Sequence, residues 1–158
     1  MKPSVPQILY TEDDADTREL NSFVLTQSNC KVVLADNNDK ALFLARNSQF
    51  DLYIIDNWMP GGSGIDLCRK LREFDPSTPI LFYSGAVYER DKQEAFASGA
   101  QAYLTKPSDN EEVVKEVFRL ISEARTKLER DRLVSLHDSG VHEIEVTSSI
   151  IPRPESYG

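Results

Sequence analysis

The chain has 158 residues, 40% of them hydrophobic and 28% charged, with a formal net charge of -8. That length suits one domain, able to bury roughly two-thirds of the surface its unfolded chain exposes. The acidic balance argues against direct nucleic-acid binding, which rests on clustered Lys and Arg, and no apolar run is long enough to span a bilayer. The opening MKPSVPQ lacks the apolar centre of a signal region, so the expected location is cytoplasmic. Cys30 and Cys68 do not have metal-ligand spacing and read as free thiols. There is no internal repeat and no low-complexity tract.

Gln7 to Thr11 is a short β-rich run that ends in three acids, Glu12, Asp13 and Asp14. Leu20, Phe23 and Val24 then fall at i, i+3 and i+4, the apolar stripe expected of an amphipathic helix that Asp14 caps. Cys30 to Ala35 reads as a second strand, the DNND at 36–39 as a turn and helix cap, and Ala41, Leu42 and Ala45 as a short helix packed through small residues. Next comes DLYIIDNWMPGGSG, residues 51–64. Its apolar run, Leu52 to Ile55, is bounded by Pro, Gly and Ser and reads as a buried strand closed by Asp56. Ile65, Cys68 and Leu71 keep helical spacing until Pro76 and Pro79 stop the helix.

Ile80 to Tyr83 is the fourth strand, ending at Ser84. Ala95 and Phe96 lie on a helix that Gly99 terminates in a left-handed C-cap. Gln101 to Thr105 is the fifth strand, closed by Lys106 and Pro107. Ser108 and Glu111 have capping-box spacing and open a last helix carried by Val114, Val117, Ile121 and Leu128.

Strand and helix alternate five times with short connections, which implies a doubly wound, five-stranded, mainly parallel sheet with helices on both faces. Right-handed crossovers place every strand's carboxyl end on one edge, where open α/β sheets bind ligands. Glu12, Asp13, Asp56, Ser84 and Lys106 all fall at that edge. Crowded carboxylates raise one another's pKa unless a cation is present. Oxygen-only ligands with room for water suit Mg²⁺, while Lys106 and Ser84 supply a fixed charge and a hydroxyl donor for phosphoryl oxygens. An Asp carboxylate can itself be the nucleophile, giving an acyl phosphate.

Four segments in order, ILYTEDD, DLYIIDNWMPGGSG, ILFYSG and AYLTKP, carry a specific resemblance. From about Gln7 to Leu128 the chain resembles a receiver domain of the two-component response-regulator family, of the chemotaxis-type stand-alone kind. The resemblance implies the flavodoxin-like strand order 2-1-3-4-5. It implies that Asp56 is the phosphoacceptor, that Glu12, Asp13, Asp56 and the backbone carbonyl of Trp58 hold Mg²⁺, and that Lys106 and Ser84 contact the phosphoryl group. Tyr103, three residues before the lysine, matches an aromatic that swings inward when the Ser84 hydroxyl moves. The Lys106-Pro107 peptide is expected to be cis. No organic cofactor is implied.

On this reading residues 1–128 form the receiver and 129–158 a C-terminal extension, a continued helix followed by either an edge strand at VHEIEV (141–146) or a disordered tail. The expected role is a single-domain switch rather than an enzyme acting on an external substrate. It takes a phosphoryl group from a histidine kinase or phosphotransfer protein in a phosphorelay and changes its affinity for a downstream protein, without nucleic acid or membrane. A homodimer through the fourth helix, fifth strand and fifth helix is a further expectation. The alternative is a pseudo-receiver, a constitutive interaction domain. Two enzymes of similar architecture fit less well: a haloacid-dehalogenase-like phosphatase needs a second Asp where Trp58 stands, and a flavodoxin needs a phosphate loop where EDDAD stands. Trp58 is also expected to screen Asp56 from attacking water and so slow the loss of a phosphoryl group. His137 and His142 read as incidental.

Overall fold

A computed structural model describes residues 4–140, and the chain divides into two compact units, residues 1–126 and 127–158. In the first unit the strands β1 (Gln7–Thr11), β2 (Lys31–Ala35) and β3 (Leu52–Ile55) are separated by the helices α1 (Ala15–Gln27) and α2 (Asn38–Asn47). A small antiparallel hairpin, β4 (Trp58–Met59) and β5 (Gly62–Ser63), follows β3 and leads into α3 (Gly64–Phe74). Then come β6 (Ile80–Ser84), α4 (Glu89–Ser98), β7 (Ala102–Thr105) and α5 (Asn110–Asp138). The hairpin is a feature the sequence reading took for a simple turn.

The five main strands lie in the order β2-β1-β3-β6-β7, each neighbouring pair parallel, which is the 2-1-3-4-5 order once the hairpin is set aside. Side chains alternate across each strand, and the sheet is covered on both faces. Leu9, Tyr53, Ile55 and Phe82 point to the layer of α2, α3 and α4, with Ala41, Leu67, Leu71 and Ala95. Ile8, Tyr10, Leu52, Ile54 and Leu81 point to the layer of α1 and α5, with Leu25, Val113, Val117 and Ile121.

Helix ends follow local chemistry. Asp14 caps α1 by accepting the Thr17 N–H, and Asn37 caps α2 through the Lys40 N–H. Ser63 and Asp66 form a reciprocal capping box at α3, and Gly99 ends α4 at φ 118°. Ser108 does not open α5: its hydroxyl donates back to the Thr105 carbonyl, while Asp109 accepts the Glu111 N–H.

Two apolar stripes also need correction. Leu20 and Phe23 are exposed, and the inner face of α1 is instead built from buried Leu25 with half-buried Arg18, Asn21 and Val24. On α5 the buried positions are Val113, Val117, Leu120 and Ile121, with Val114 half-buried and Leu128 exposed.

At the amino-terminal edge of the sheet Arg72, on α3, donates to the carbonyls of Asp75, Thr78 and Gly99 and to the Gln101 side chain. Gln101 in turn accepts the Ile80 N–H at 2.7 Å. Both cysteines are free and buried, and the Lys106-Pro107 peptide is cis. In the second unit Leu133, Val134 and Leu136 of α5 are exposed. The VHEIEV segment and His142 lie outside the described residues. Among the described residues no helix is long and apolar enough to cross a membrane.

Candidate functional site

Parallel strands and right-handed connections bring the carboxyl ends of β1, β3, β6 and β7 to one edge. There Glu12 and Asp13 follow β1, Asp56 follows β3, Ser84 ends β6 and Lys106 follows β7. Carboxylate oxygens of Glu12, Asp13 and Asp56 lie within 4.8 Å of one another. Glu12 and Asp56 are buried, and Asp13 is exposed at the rim. The three acids that the sequence set together are therefore together in space.

Lys106 binds two of them. Its Nζ donates to Glu12 Oε2 and, at 3.1 Å, to Asp56 Oδ2, and it lies 5.3 Å from the centre of the Tyr83 ring. Burial works against the ammonium, yet Glu12 and Asp56 outweigh it and hold its pKa above the ordinary lysine value. The Glu12 carboxyl is pushed above the usual carboxylate range, chiefly by burial, with the Lys106 hydrogen bond pulling the other way. Formally, three carboxylates and one ammonium leave two negative charges at the edge. The donor set is oxygen only and sits at a water-accessible rim, so its chemistry fits a hard divalent cation of the Mg²⁺ kind.

The loop after Asp56 is held from several sides. Trp58 N–H donates to Asp56 Oδ1 at 3.2 Å. Gly64 N–H donates to the Asn57 carbonyl, and a Cβ on Gly64 would lie 2.5 Å from the Asp56 carbonyl oxygen, so only glycine permits this approach. Asn38 Nδ2, from the start of α2, donates to the Ser63 carbonyl. Arg18 Nη1 donates to the Glu12 carbonyl at 2.8 Å and steadies the acidic turn. Gly64 and Asn38 lie in segments singled out in the sequence, 51–64 and 36–39, but their contacts were not foreseen, and Arg18 carried no signal.

The Trp58 side chain is 67% exposed. The indole stands largely in solvent on the β4–β5 hairpin. Ser84 is fully buried, and its Oγ accepts the Ala86 N–H at 3.3 Å; it makes no hydrogen bond to Asp56. Tyr103 stacks on Phe82, with ring centres 5.9 Å apart, and donates its hydroxyl to the Ala86 carbonyl at 2.7 Å. Ser84 and Tyr103 thus meet on one residue, Ala86, beside the acidic cluster but not in it.

A doubly wound sheet with acids and a lysine gathered at its carboxyl edge defines the CheY-like class of flavodoxin-type α/β domains. The family model for the response regulator receiver domain matches residues 8–118, and the chain belongs to that family. It is 33% identical over 118 residues to the transcriptional regulatory protein ResD of Bacillus subtilis (strain 168), covering 75% of this chain and 49% of that protein. The chain spans about half the length of the curated relatives it matches. Among solved structures it is similar to the chemotaxis protein CheY4 of Vibrio cholerae, with a TM-score of 0.69 and 29% identity, covering 74% of this chain and 99% of that one. A CheY-like receiver domain protein from Methanospirillum hungatei JF-1 has a TM-score of 0.76 at 21% identity, covering 78% and 99%, a likeness of fold alone.

Proposed function

We propose that Asp56 accepts a phosphoryl group from a histidine kinase or phosphotransfer protein, with Mg²⁺ held by Glu12, Asp13, Asp56 and the Trp58 carbonyl. The observation that carries this reading is the convergence of three carboxylates on one lysine at the carboxyl edge. An Asp56 oxygen attacks phosphorus, the bond from phosphorus to the donor imidazole breaks, and the imidazole leaves with the electron pair and takes up a proton. The product on this chain is an acyl phosphate. Mg²⁺ held by these groups would supply charge neutralisation for the phosphoryl oxygens.

This chain's residues do the rest. Lys106 releases part of its hold on Asp56 and pairs with the incoming phosphoryl oxygens. The Ser84 hydroxyl, whose oxygen already accepts the Ala86 N–H, keeps its proton free to donate to the phosphoryl group. Moving Ser84 shifts Ala86, and with it the Tyr103 hydroxyl that rests on the Ala86 carbonyl. The output is a changed surface around β6, α4, β7 and α5, biased between two states rather than newly made. The protein is thus a signalling module rather than an enzyme with an external substrate, working in the manner of a single-domain response regulator in the cytoplasm. A net charge of -8 favours a protein over a nucleic acid as the partner of these residues. Self-association through the same surface is part of the proposal, read by light scattering with and without a phosphoryl analogue.

The test is intact-mass measurement after acetyl phosphate and Mg²⁺, beside Asp56→Asn. One phosphoryl adduct on the parent chain and none on the variant supports the reading. No adduct on either, together with no change in Trp58 emission on adding Mg²⁺ and beryllofluoride, transfers the chain to the constitutive interaction domains.

A further inference from the structure

Tyr10 stands in the middle of β1, with no exposed surface, in the apolar layer beneath α1 and α5. A phenylalanine would fill that space equally well. The hydroxyl is the part that packing does not explain, since burying one without partners costs free energy.

Its partners are specific. Strand alternation puts Tyr10 and Glu12 on the same face, two residues apart. The Tyr10 hydroxyl donates to Glu12 Oε2 at 3.3 Å and accepts from Asn21 Nδ2 at 2.9 Å. The hydroxyl has one proton to give, and with Asn21 donating to its oxygen the acceptor within reach is the Glu12 carboxylate. Glu12 Oε2 then receives two donors, Tyr10 and Lys106, while Oε1 receives the Asp14 N–H at 3.2 Å. One continuous chain of hydrogen bonds runs Asn21, Tyr10, Glu12, Lys106, Asp56.

We propose that Tyr10 is a positioning residue for the acidic cluster: its hydroxyl, itself oriented by Asn21, fixes the Glu12 carboxylate in the orientation with which the site takes a divalent cation. The inference rests on the metal reading above and adds to it a residue that touches neither cation nor phosphoryl group. Partners outside the ligand set that orient a ligating carboxylate commonly govern metal affinity as well as structure. Without the hydroxyl, Glu12 Oε2 keeps only Lys106, whose other hydrogen bond pulls toward Asp56.

The experiment uses the full chain and Mg²⁺ alone, titrated by calorimetry and by emission of the single tryptophan, Trp58. Melting temperatures are recorded in EDTA. Tyr10→Phe is expected to raise the Mg²⁺ dissociation constant about tenfold. Asn21→Ala is expected to raise it less, and the double variant to bind no more weakly than Tyr10→Phe, because one chain of bonds carries both effects. Wild-type affinity in Tyr10→Phe overturns the inference whatever happens to its melting temperature, and leaves the metal reading intact. Absence of Mg²⁺ binding in the parent chain overturns both. If Tyr10→Phe does not fold, Asn21→Ala decides: weaker binding at an unchanged melting temperature upholds the role, and unchanged binding ends it.

Discussion

Strand β3 is bracketed by two aspartates, Asp51 before it and Asp56 after it, and the two ends of the strand have opposite fates. Asp51 Oδ2 accepts the Gln7 N–H at 2.8 Å and Oδ1 accepts Arg125 at 3.3 Å. One carboxylate meets one guanidinium, and Arg125 also holds the Ser4 carbonyl, so this end ties the first strand and last helix together. Asp56 instead shares a single ammonium with Glu12, beside a third acid. The two acids differ in what their neighbours leave unneutralised, not in their standing at a strand end.

Exchanging the two acids for amides gives the sharpest contrast. Asp56→Asn is expected to abolish the phosphoryl adduct, and Asp51→Asn to form it normally at a cost of about 1 kcal/mol in urea unfolding. Loss of the adduct in Asp51→Asn would erase the distinction. Next in size is Lys106→Met, which leaves the buried carboxylates without their cation. In EDTA it is expected to lose about 3 kcal/mol of stability, the toll of a buried pair broken from one side. On the proposed metal reading, Mg²⁺ is then expected to stabilise the variant more than the parent, checked by denaturant curves with and without the ion.

The smallest effect concerns Asp75, a third kind of acid, satisfied entirely by neutral donors. Burial alone would raise its pKa, but hydrogen bonds from the Tyr53 hydroxyl and from the N–H groups of Thr78 and Ser77 outweigh that and hold it below the ordinary 3.8. Because the folded value lies below the unfolded one, this stability is fully present above about pH 4 and is lost as pH falls through the folded value. Asp75→Asn is therefore expected to flatten the fall in melting temperature below about pH 4. An unaltered acid slope in the variant would discard the assignment.

Much of this was legible in the residues. Buried parallel strands read as apolar runs, so β1, β3, β6 and β7 announced themselves, and each ended in the polar group that now lines the edge. The inner face of α1 was not legible, for a reason rooted in the site. Arg18 and Asn21 occupy it, reaching the Glu12 carbonyl and the Tyr10 hydroxyl. A helix that supports an acidic cluster carries polar groups inward, and Leu20 and Phe23 are left outward. Periodicity marks such a helix correctly and assigns its faces wrongly. The hairpin of Trp58 to Ser63 escaped because two-residue strands have no periodicity to detect.

The Arg72 clasp at the amino-terminal edge bears on how a signal could travel. Through Gln101 it fastens the beginnings of β6 and β7 to the end of α3. Both strands are moored at that end, so on the proposed switching a displacement of Ser84, at the far end of β6, would turn the strand about a fixed point. The clasp would then set the length of β6 over which such a movement acts.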